Sequence, residues 1–254
     1  MSLLDVKELN MQFGGLIAVS DFDLHMEAGE LVGLIGPNGS GKSTVFNMVS
    51  GFYRPTKGTV FFDGHDITGL RPDRVSAHGI ARVFQNCRLF KGLPTLENVL
   101  LGCHMHLRAS PFDAVLHTPR YLKDESQARH ECEELLEKLG LTGVKEDKAS
   151  SLPYGLQRKL EVARALAVRP KLLLLDEPAT GLSVEETTDM MRFIIQVQKD
   201  FNMTILLIEH TMRVIMGICP RIKVLDHGIT IAHGTPEQIQ NDPKVVEAYL
   251  GVGE

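Results

Sequence analysis

The stretch that decides the fold of this chain reads Gly36-Pro37-Asn38-Gly39-Ser40-Gly41-Lys42-Ser43-Thr44. It fits the pattern G-x-x-x-x-G-K-[ST] and stands between a predicted strand and a predicted helix, which is the context that the pattern requires. Glycines let the backbone wrap a phosphate with its N–H groups pointing inward, and the following helix adds its positive N-terminal end. Lys42 can then reach the β- and γ-phosphates, and Ser43 can offer its hydroxyl to Mg²⁺. The sequence therefore predicts a loop that binds a nucleoside triphosphate with its magnesium ion.

A second pattern is the apolar run Leu172–Leu175, which ends in the acidic pair Asp176-Glu177. Taken alone, it is equally well a strand that ends at the surface in two solvated acids. Beside a phosphate loop the two carboxylates have a use, because Asp176 can hold Mg²⁺ through water while Glu177 polarises the attacking water. We therefore predict that these two residues belong to the same site as the phosphate loop.

Two further polar residues follow predicted strands. Gln85 comes after Val83-Phe84, and His210 ends the run Leu206-Leu207-Ile208-Glu209-His210. Each is unremarkable by itself, since a single polar residue after a strand is usually structural or exposed. Gln85 and His210 become candidate site residues only when the order of all the patterns along the chain is considered.

The wider organisation is an alternation of short apolar runs with helical patterns, which indicates an α/β fold. Helical spacing dominates the middle of the chain, where Leu96–Met105 and Ser126–Leu139 are predicted helices. We predict a core formed by residues 1–85 and 168–254, interrupted by a helical subdomain at 86–167. The strands predicted for the core are Leu4–Leu9, Phe22–Met26, Leu31–Ile35, Val60–Phe62, Ile80–Phe84, Leu172–Leu175, Thr204–Ile208, Ile222–Leu225 and Ile229–Ala232.

Composition narrows the possible functions. The net charge of −5 and a pI near 6.1 disfavour a nucleic acid as the main partner. Four cysteines without a C-x-x-C pair indicate free thiols, and Cys103-His104-Met105-His106 is better explained as part of a helix than as a metal site. We expect no signal peptide and no membrane-spanning segment, because no apolar run approaches the roughly 20 residues that a spanning helix needs.

Taken in order, these patterns resemble an ABC (ATP-binding cassette) ATPase from end to end. The resemblance implies a P-loop NTPase (RecA-like) core with an N-terminal antiparallel β layer, an inserted α-helical subdomain and C-terminal helices. It also implies a head-to-tail dimer that holds two ATP molecules. By the same resemblance, Gln85 contacts Mg²⁺, His210 senses the γ-phosphate, Phe13 stacks on adenine, and Gly155 in Leu152-Pro153-Tyr154-Gly155-Leu156 belongs to the signature.

The chain departs from the family pattern at two positions. The usual signature Leu-Ser-Gly-Gly-Gln has a serine where this chain has Pro153, which carries neither a hydroxyl nor an N–H. Ser183 stands where an aspartate is usual. Both departures concern signalling across the dimer and leave the predicted ATP binding by this chain intact.

Finer similarity covers essentially the whole chain and points to one branch, the ATPase subunits of branched-chain amino acid importers. Phe13-Gly14-Gly15-Leu16, Arg88-Leu89-Phe90 and the ending Val245–Gly251 are among the segments that carry it. The resemblance implies a second ATPase subunit in a heterodimer, two permease subunits, an external solute-binding protein reached indirectly, and a peripheral place on the cytoplasmic face of the cell membrane.

The alternatives are an ATPase for urea, amides or lipopolysaccharide, a soluble ABC protein without a transport role, and a GTP-dependent switch. Soluble ABC proteins commonly carry two cassettes or a long coiled-coil insertion, and this chain has one cassette and a modest insertion. GTP-binding switches usually carry [N/T]-K-x-D, and Val144-Lys145-Glu146-Asp147 lacks the first residue of that pattern.

Overall fold

The structure is a computed structural model that describes residues 2–103 and 118–250. The chain divides into two compact units, one formed by Met1–Gln85 with Lys171–Glu254 and the other by Asn86–Pro170. Within the described ranges, no helix combines the length and the apolarity needed to span a bilayer. Predictions that involve His104–His106 or Gly251 lie outside the described residues.

The first unit is built on a six-stranded sheet with the strand order β10-β9-β3-β8-β7-β6. Strands β9, β3, β8, β7 and β6 run parallel, and β10 pairs with β9 in the antiparallel sense. The central strands are fully buried, as is usual for parallel strands, which read as continuous apolar runs. The strand bounds are β3 Leu31–Ile35, β6 Ile80–Val83, β7 Leu172–Asp176, β8 Thr204–Ile208, β9 Arg221–Asp226 and β10 Ile229–Gly234.

A second, four-stranded antiparallel sheet with the order β2-β1-β4-β5 belongs to the same unit. Its long strands alternate buried and exposed residues over much of their length, which is the pattern of a sheet with one covered face. The buried side chains Phe22 and Phe62 of this sheet share one apolar core with Phe46 and with Leu174 of the parallel sheet. The strand bounds are β1 Ser2–Phe13, β2 Leu16–Glu27, β4 Lys57–Phe62 and β5 His65–Asp66.

Helices of the first unit follow or connect the strands. The longest begins with a capping box, in which the Ser183 side chain accepts from the Glu186 N–H and the Glu186 carboxylate accepts from the Ser183 N–H. The helix bounds are α1 Lys42–Val49, α2 Pro72–Ala77, α6 Val184–Asp200, α7 Met212–Ile218, α8 Pro236–Gln240 and α9 Pro243–Leu250.

The second unit is helical in the residues that the structure describes. Its helices are α3 Thr95–Cys103, α4 Pro119–Lys138 and α5 Tyr154–Ala167, with short 3₁₀ turns at Thr142–Val144 and Ala149–Ser151. Helix α3 packs against α5 closely enough that a Cβ on Gly102 would lie 2.5 Å from the Arg164 carbonyl oxygen. Cys103 and Cys132 lie in this unit as free thiols, with their sulfur atoms 2.8 Å apart.

The predicted α/β fold is confirmed, and the structure refines the predicted element bounds. Strands β3 and β8 match their predicted ranges, whereas β1 and β2 extend beyond theirs because their pairing continues into exposed residues near the turn that joins them. Helix α1 begins at Lys42, inside the phosphate loop pattern. We did not predict helices α2, α6 or α7 from the sequence.

The buried face of β7 generates a prediction about stability. Leu174 is fully buried in the shared apolar core. We expect Leu174→Ala to lower the free energy of unfolding by about 2–5 kcal/mol, because the substitution removes buried methyl groups and leaves a cavity. Urea denaturation measures the change. Ile229→Ala, at an exposed position of the same unit, is the control, and an equal loss in both variants would contradict the assigned core.

Candidate active site

The phosphate loop pattern forms a tight turn between β3 and α1. Gly36, Gly39 and Gly41 have φ values of 153°, 80° and 105°, which disfavour residues with a side chain. A Cβ on Gly36 would lie 2.0 Å from the Leu225 carbonyl oxygen, and one on Gly41 would lie 2.7 Å from the Ala18 carbonyl oxygen. Gly36 and Gly41 are therefore required both by the backbone conformation and by the close approach of neighbouring strands, whereas Gly39 is required by its backbone conformation.

The Lys42 side chain lies buried within this turn. Its ammonium group donates to the carbonyl oxygens of Gly36 and Pro37, at 2.7 and 2.8 Å. Burial lowers the pKa of Lys42, and the negative charges of Glu177 and Asp176 act in the opposite direction. The loop thus holds a single ammonium group between its own carbonyl oxygens, close to two carboxylates.

A cavity of about 260 Å³ adjoins the turn. The phosphate loop residues Gly39 to Thr44 line one part of it, and residues from elsewhere in the first unit line the rest, namely Leu16, Ile17, Ala18 and His227. Phe13 is not among the lining residues, and its ring packs edge-on against Tyr53 at a centroid distance of 5.3 Å. The stacking of Phe13 on adenine therefore stays a prediction. The sequence analysis had not assigned Leu16, Ile17, Ala18 or His227 to the site.

Asp176 ends β7 and lies buried beside an arginine. Its Oδ2 atom accepts from the Arg82 guanidinium at 2.7 Å, and Arg82 also donates to Asn47 and Ser50. The guanidinium stacks on the Phe84 ring, 4.7 Å from its centroid. Arg82 therefore compensates the buried charge of Asp176 and links β7 to helix α1. The sequence analysis did not predict this role, although a charged Arg82 within the otherwise apolar predicted strand Ile80–Phe84 could have indicated it.

Glu177 is the residue on which the predicted polar residues converge. Its Oε2 atom accepts from the Gln85 amide at 2.7 Å and from the Thr180 hydroxyl at 3.0 Å, and it lies 3.4 Å from His210 Nδ1. The Glu177 backbone adopts a left-handed conformation, with φ at 49°, and its N–H donates to the Ile208 carbonyl oxygen. The structure thus brings together three residues that the sequence places far apart.

Gly155 lies in the other unit, in the first turn of α5. Pro153 is the N-cap of this helix and provides no side-chain hydrogen bond to its first N–H groups. The helix is held within its unit by the buried pair Arg158–Glu161, and Glu161 also accepts from the Arg88 N–H at 2.6 Å. The start of α5 therefore presents backbone N–H groups without a capping side chain.

Comparison with known proteins defines the class. A family model described as ABC transporter matches residues 19–180, which include the phosphate loop, Gln85, Gly155, Asp176 and Glu177. The chain belongs to the ABC transporter family, and it is a nucleotide-binding ATPase of that family. A second model, described as branched-chain amino acid ATP-binding cassette transporter, matches residues 230–254.

Individual relatives are similar over almost the entire chain. The high-affinity branched-chain amino acid transport ATP-binding proteins BraF of Pseudomonas aeruginosa and LivG of Escherichia coli are 43% and 44% identical to it, over 98% of both chains in each case. Among solved structures, the ADP conformation of an ATP-binding cassette of an ABC transporter is 30% identical with a TM-score of 0.86. The match extends over 99% of the present chain and over 100% of the chain in that structure.

The buried ammonium group generates a prediction about nucleotide binding. We expect Lys42→Ala to weaken ATP binding at least about tenfold, because an ion pair with phosphate contributes roughly 1.5–3 kcal/mol. Titration with a fluorescent ATP analogue measures the affinity. Lys7→Ala removes an exposed ammonium group in the same unit and is the control. Equal affinities of Lys42→Ala and the wild type would contradict the predicted phosphate loop.

Proposed function

We propose that this chain is the ATP-hydrolysing subunit of an ABC importer and that it couples hydrolysis of ATP to the uptake of branched-chain amino acids. The observation that carries the catalytic part is the convergence of Gln85, Thr180 and His210 on the Glu177 carboxylate. The substrate class is supported by the family model at residues 230–254 and by relatives whose names state branched-chain amino acid transport.

In this proposal, the backbone N–H groups of Gly36–Thr44 and the Lys42 ammonium hold the phosphates of ATP. Mg²⁺, when bound, neutralises charge on the β- and γ-phosphates and polarises the bond that breaks. Ser43, Asp176 and Gln85 are the residues proposed to hold it. A hydroxyl, a carboxylate and an amide oxygen fit the preference of Mg²⁺ for a few protein oxygens together with phosphates and waters.

Glu177 is proposed as the base that orients and polarises the attacking water. Its carboxylate is only partly exposed and accepts from the neutral donors Gln85 and Thr180, with His210 Nδ1 at 3.4 Å and without a lysine or arginine ion pair among the described residues. Such a carboxylate keeps an oxygen able to accept a proton from water. Gln85 and His210 approach it from the segments that follow β6 and β8, and they are proposed to report on the metal and the γ-phosphate.

The proposed partners follow from the same function. They are a second ATPase subunit, two permease subunits and, indirectly, an external solute-binding protein. The chain is proposed to work at the cytoplasmic face of the cell membrane, bound to the permeases. Reconstitution of the chain with these partners in vesicles tests the assignment. ATP-dependent uptake of leucine, but not of urea, is the expected result, and uptake of urea alone would contradict it.

The role of Glu177 leads to a prediction about turnover. We expect Glu177→Gln to retain ATP binding and to lower hydrolysis by roughly 10²–10⁴-fold, as for the loss of a general base. Release of phosphate by the purified chain measures the rate, and nucleotide titration measures the affinity. The control is Glu185→Gln, an exposed glutamate in the first turn of α6. A loss of less than tenfold would exclude Glu177 as the base.

The dimer is proposed to be a heterodimer because of Pro153. In a head-to-tail pair, each ATP lies on one chain's phosphate loop and under the other chain's signature. This chain offers an intact loop, whereas the start of its helix α5 lacks the serine hydroxyl. A homodimer of this chain would therefore lack the serine hydroxyl at both ATP sites. A partner subunit with a complete signature would supply that hydroxyl at the ATP site formed by Lys42 and Glu177 of this chain.

This asymmetry predicts unequal effects of two base substitutions in the reconstituted complex. We expect Glu177→Gln to reduce ATP turnover more than the matching substitution in the partner subunit, because a hydrogen bond to a charged phosphate contributes about 1.5–3 kcal/mol. Steady-state ATPase rates of the two variant complexes measure the difference. A larger effect of the partner's substitution would contradict the proposed ranking, and transport by two copies of this chain alone would contradict the heterodimer.

A further inference from the structure

A buried glutamate stands between the end of β8 and the proposed catalytic histidine. Glu209 follows Ile208, the last residue of β8, and has no exposed surface. The neighbouring His210 side chain is half exposed. A buried carboxylate is costly unless it has partners, so each of its two oxygen atoms needs an explanation.

One oxygen of Glu209 holds the loop that follows Glu177. Glu209 Oε1 accepts from the Ala179 N–H at 2.8 Å. The next residue, Thr180, donates its hydroxyl to Glu177 Oε2 at 3.0 Å. Through this loop, Glu209 restrains a donor that contacts the proposed base, although Glu209 itself makes no hydrogen bond to Glu177 among the contacts described.

The other oxygen is buried and has no hydrogen-bond donor within the part of the chain that the structure describes. His210 Nδ1 lies 4.0 Å from Glu209 Oε2 and 3.4 Å from Glu177 Oε2, and the Thr211 N–H also faces the Glu209 carboxylate. The same ring nitrogen therefore faces two carboxylates. A ring displacement of about 1 Å toward Glu209 would bring the longer distance into the range of a hydrogen bond.

Burial and the negative charge of Glu177 raise the pKa of Glu209, and the Ala179 N–H, the nearby His210 and the Thr211 N–H oppose that shift. An acceptor that lacks a donor in such a place is a high-energy arrangement, which a donated N–H would relieve. The imidazole of His210 can supply one N–H from Nδ1, and it can give that N–H to only one of the two carboxylates at a time.

We propose that Glu209 is a positioning residue for ATP hydrolysis, holding the loop after Glu177 with one oxygen and offering the other as an alternative acceptor for His210. When the histidine turns to Glu209, Glu177 Oε2 keeps the hydrogen bonds from Gln85 and Thr180 and loses the nearby imidazole, so that the Glu177 carboxylate binds the attacking water more strongly. When it turns back, the imidazole again competes with the water for the Glu177 carboxylate. This inference rests on the proposed role of Glu177 as the base.

Glutamine at position 209 separates the two functions of the carboxylate. In Glu209→Gln the amide oxygen can still accept from the Ala179 N–H, and the amide nitrogen then replaces Oε2 and presents a second donor to His210. In Glu209→Ala both interactions are lost. Glu30→Gln is the matched control, because Glu30 also accepts a backbone N–H, from Glu27, but precedes β3 at the opposite end of that strand from the phosphate loop.

The experiment measures ATP turnover, nucleotide affinity and thermal midpoint for the purified full chain with each substitution. We expect Glu209→Gln to lower turnover about tenfold or more, as for a lost hydrogen bond with a charged partner, and to leave ATP affinity and the midpoint close to those of the wild type. Glu209→Ala should lower turnover as strongly and also lower the midpoint by about 2–4 °C.

A double-substitution cycle with His210→Ala decides whether Glu209 acts through the histidine. We expect Glu209→Gln to change the turnover of the His210→Ala variant by less than about twofold, since the two residues would then act as a unit. Full wild-type turnover in Glu209→Gln overturns the proposal, and so does a tenfold effect that persists without the histidine. Wild-type turnover in Glu177→Gln instead overturns the proposed base, which keeps the two failures distinct.

Discussion

The site depends on one constraint, which is that the neighbouring parallel strands β3, β8, β7 and β6 end at the same edge of a sheet. Their register is parallel at every pairing, so the residues that follow each strand come together whatever their distance along the chain. The phosphate loop follows β3, His210 follows β8, Glu177 follows β7 and Gln85 follows β6. The helices and the antiparallel sheet of the first unit pack around the six-stranded sheet, and its central strands are buried from solvent.

Gathering these strand ends creates an electrostatic problem, because three acidic side chains occupy the same edge. Each is compensated differently. Asp176 pairs with a buried arginine, Glu177 accepts from an amide and a hydroxyl with an imidazole nearby, and Glu209 is approached by backbone N–H groups. The buried charge of Asp176 is thus balanced by a full ionic partner, whereas Glu177, the proposed base, is bound by neutral donors.

The helical unit carries the less usual part of the sequence. Pro153 caps α5 without a side-chain acceptor or donor, and buried Arg158 and Glu161 tie the helix to the segment after Gln85. Ser183, the other departure from the family pattern, has a local role as the N-cap of α6 in a capping box. An aspartate would cap this helix equally well, so the capping box does not explain why serine stands at position 183.

The sequence by itself determined the α/β fold and the glycine-rich loop, because glycine spacing and short apolar runs are local features set by backbone sterics and burial. The family followed from the resemblance of its ordered motifs to known ABC ATPases. The sequence also indicated Glu177, Gln85 and His210, through their order and resemblance to known cassettes. Only the tertiary structure decided that Arg82 pairs with Asp176, that Thr180 binds Glu177, and that Glu209 lies buried behind His210. These pairings join residues on different strands and loops, and no local pattern encodes which side chains will share the edge of a folded sheet.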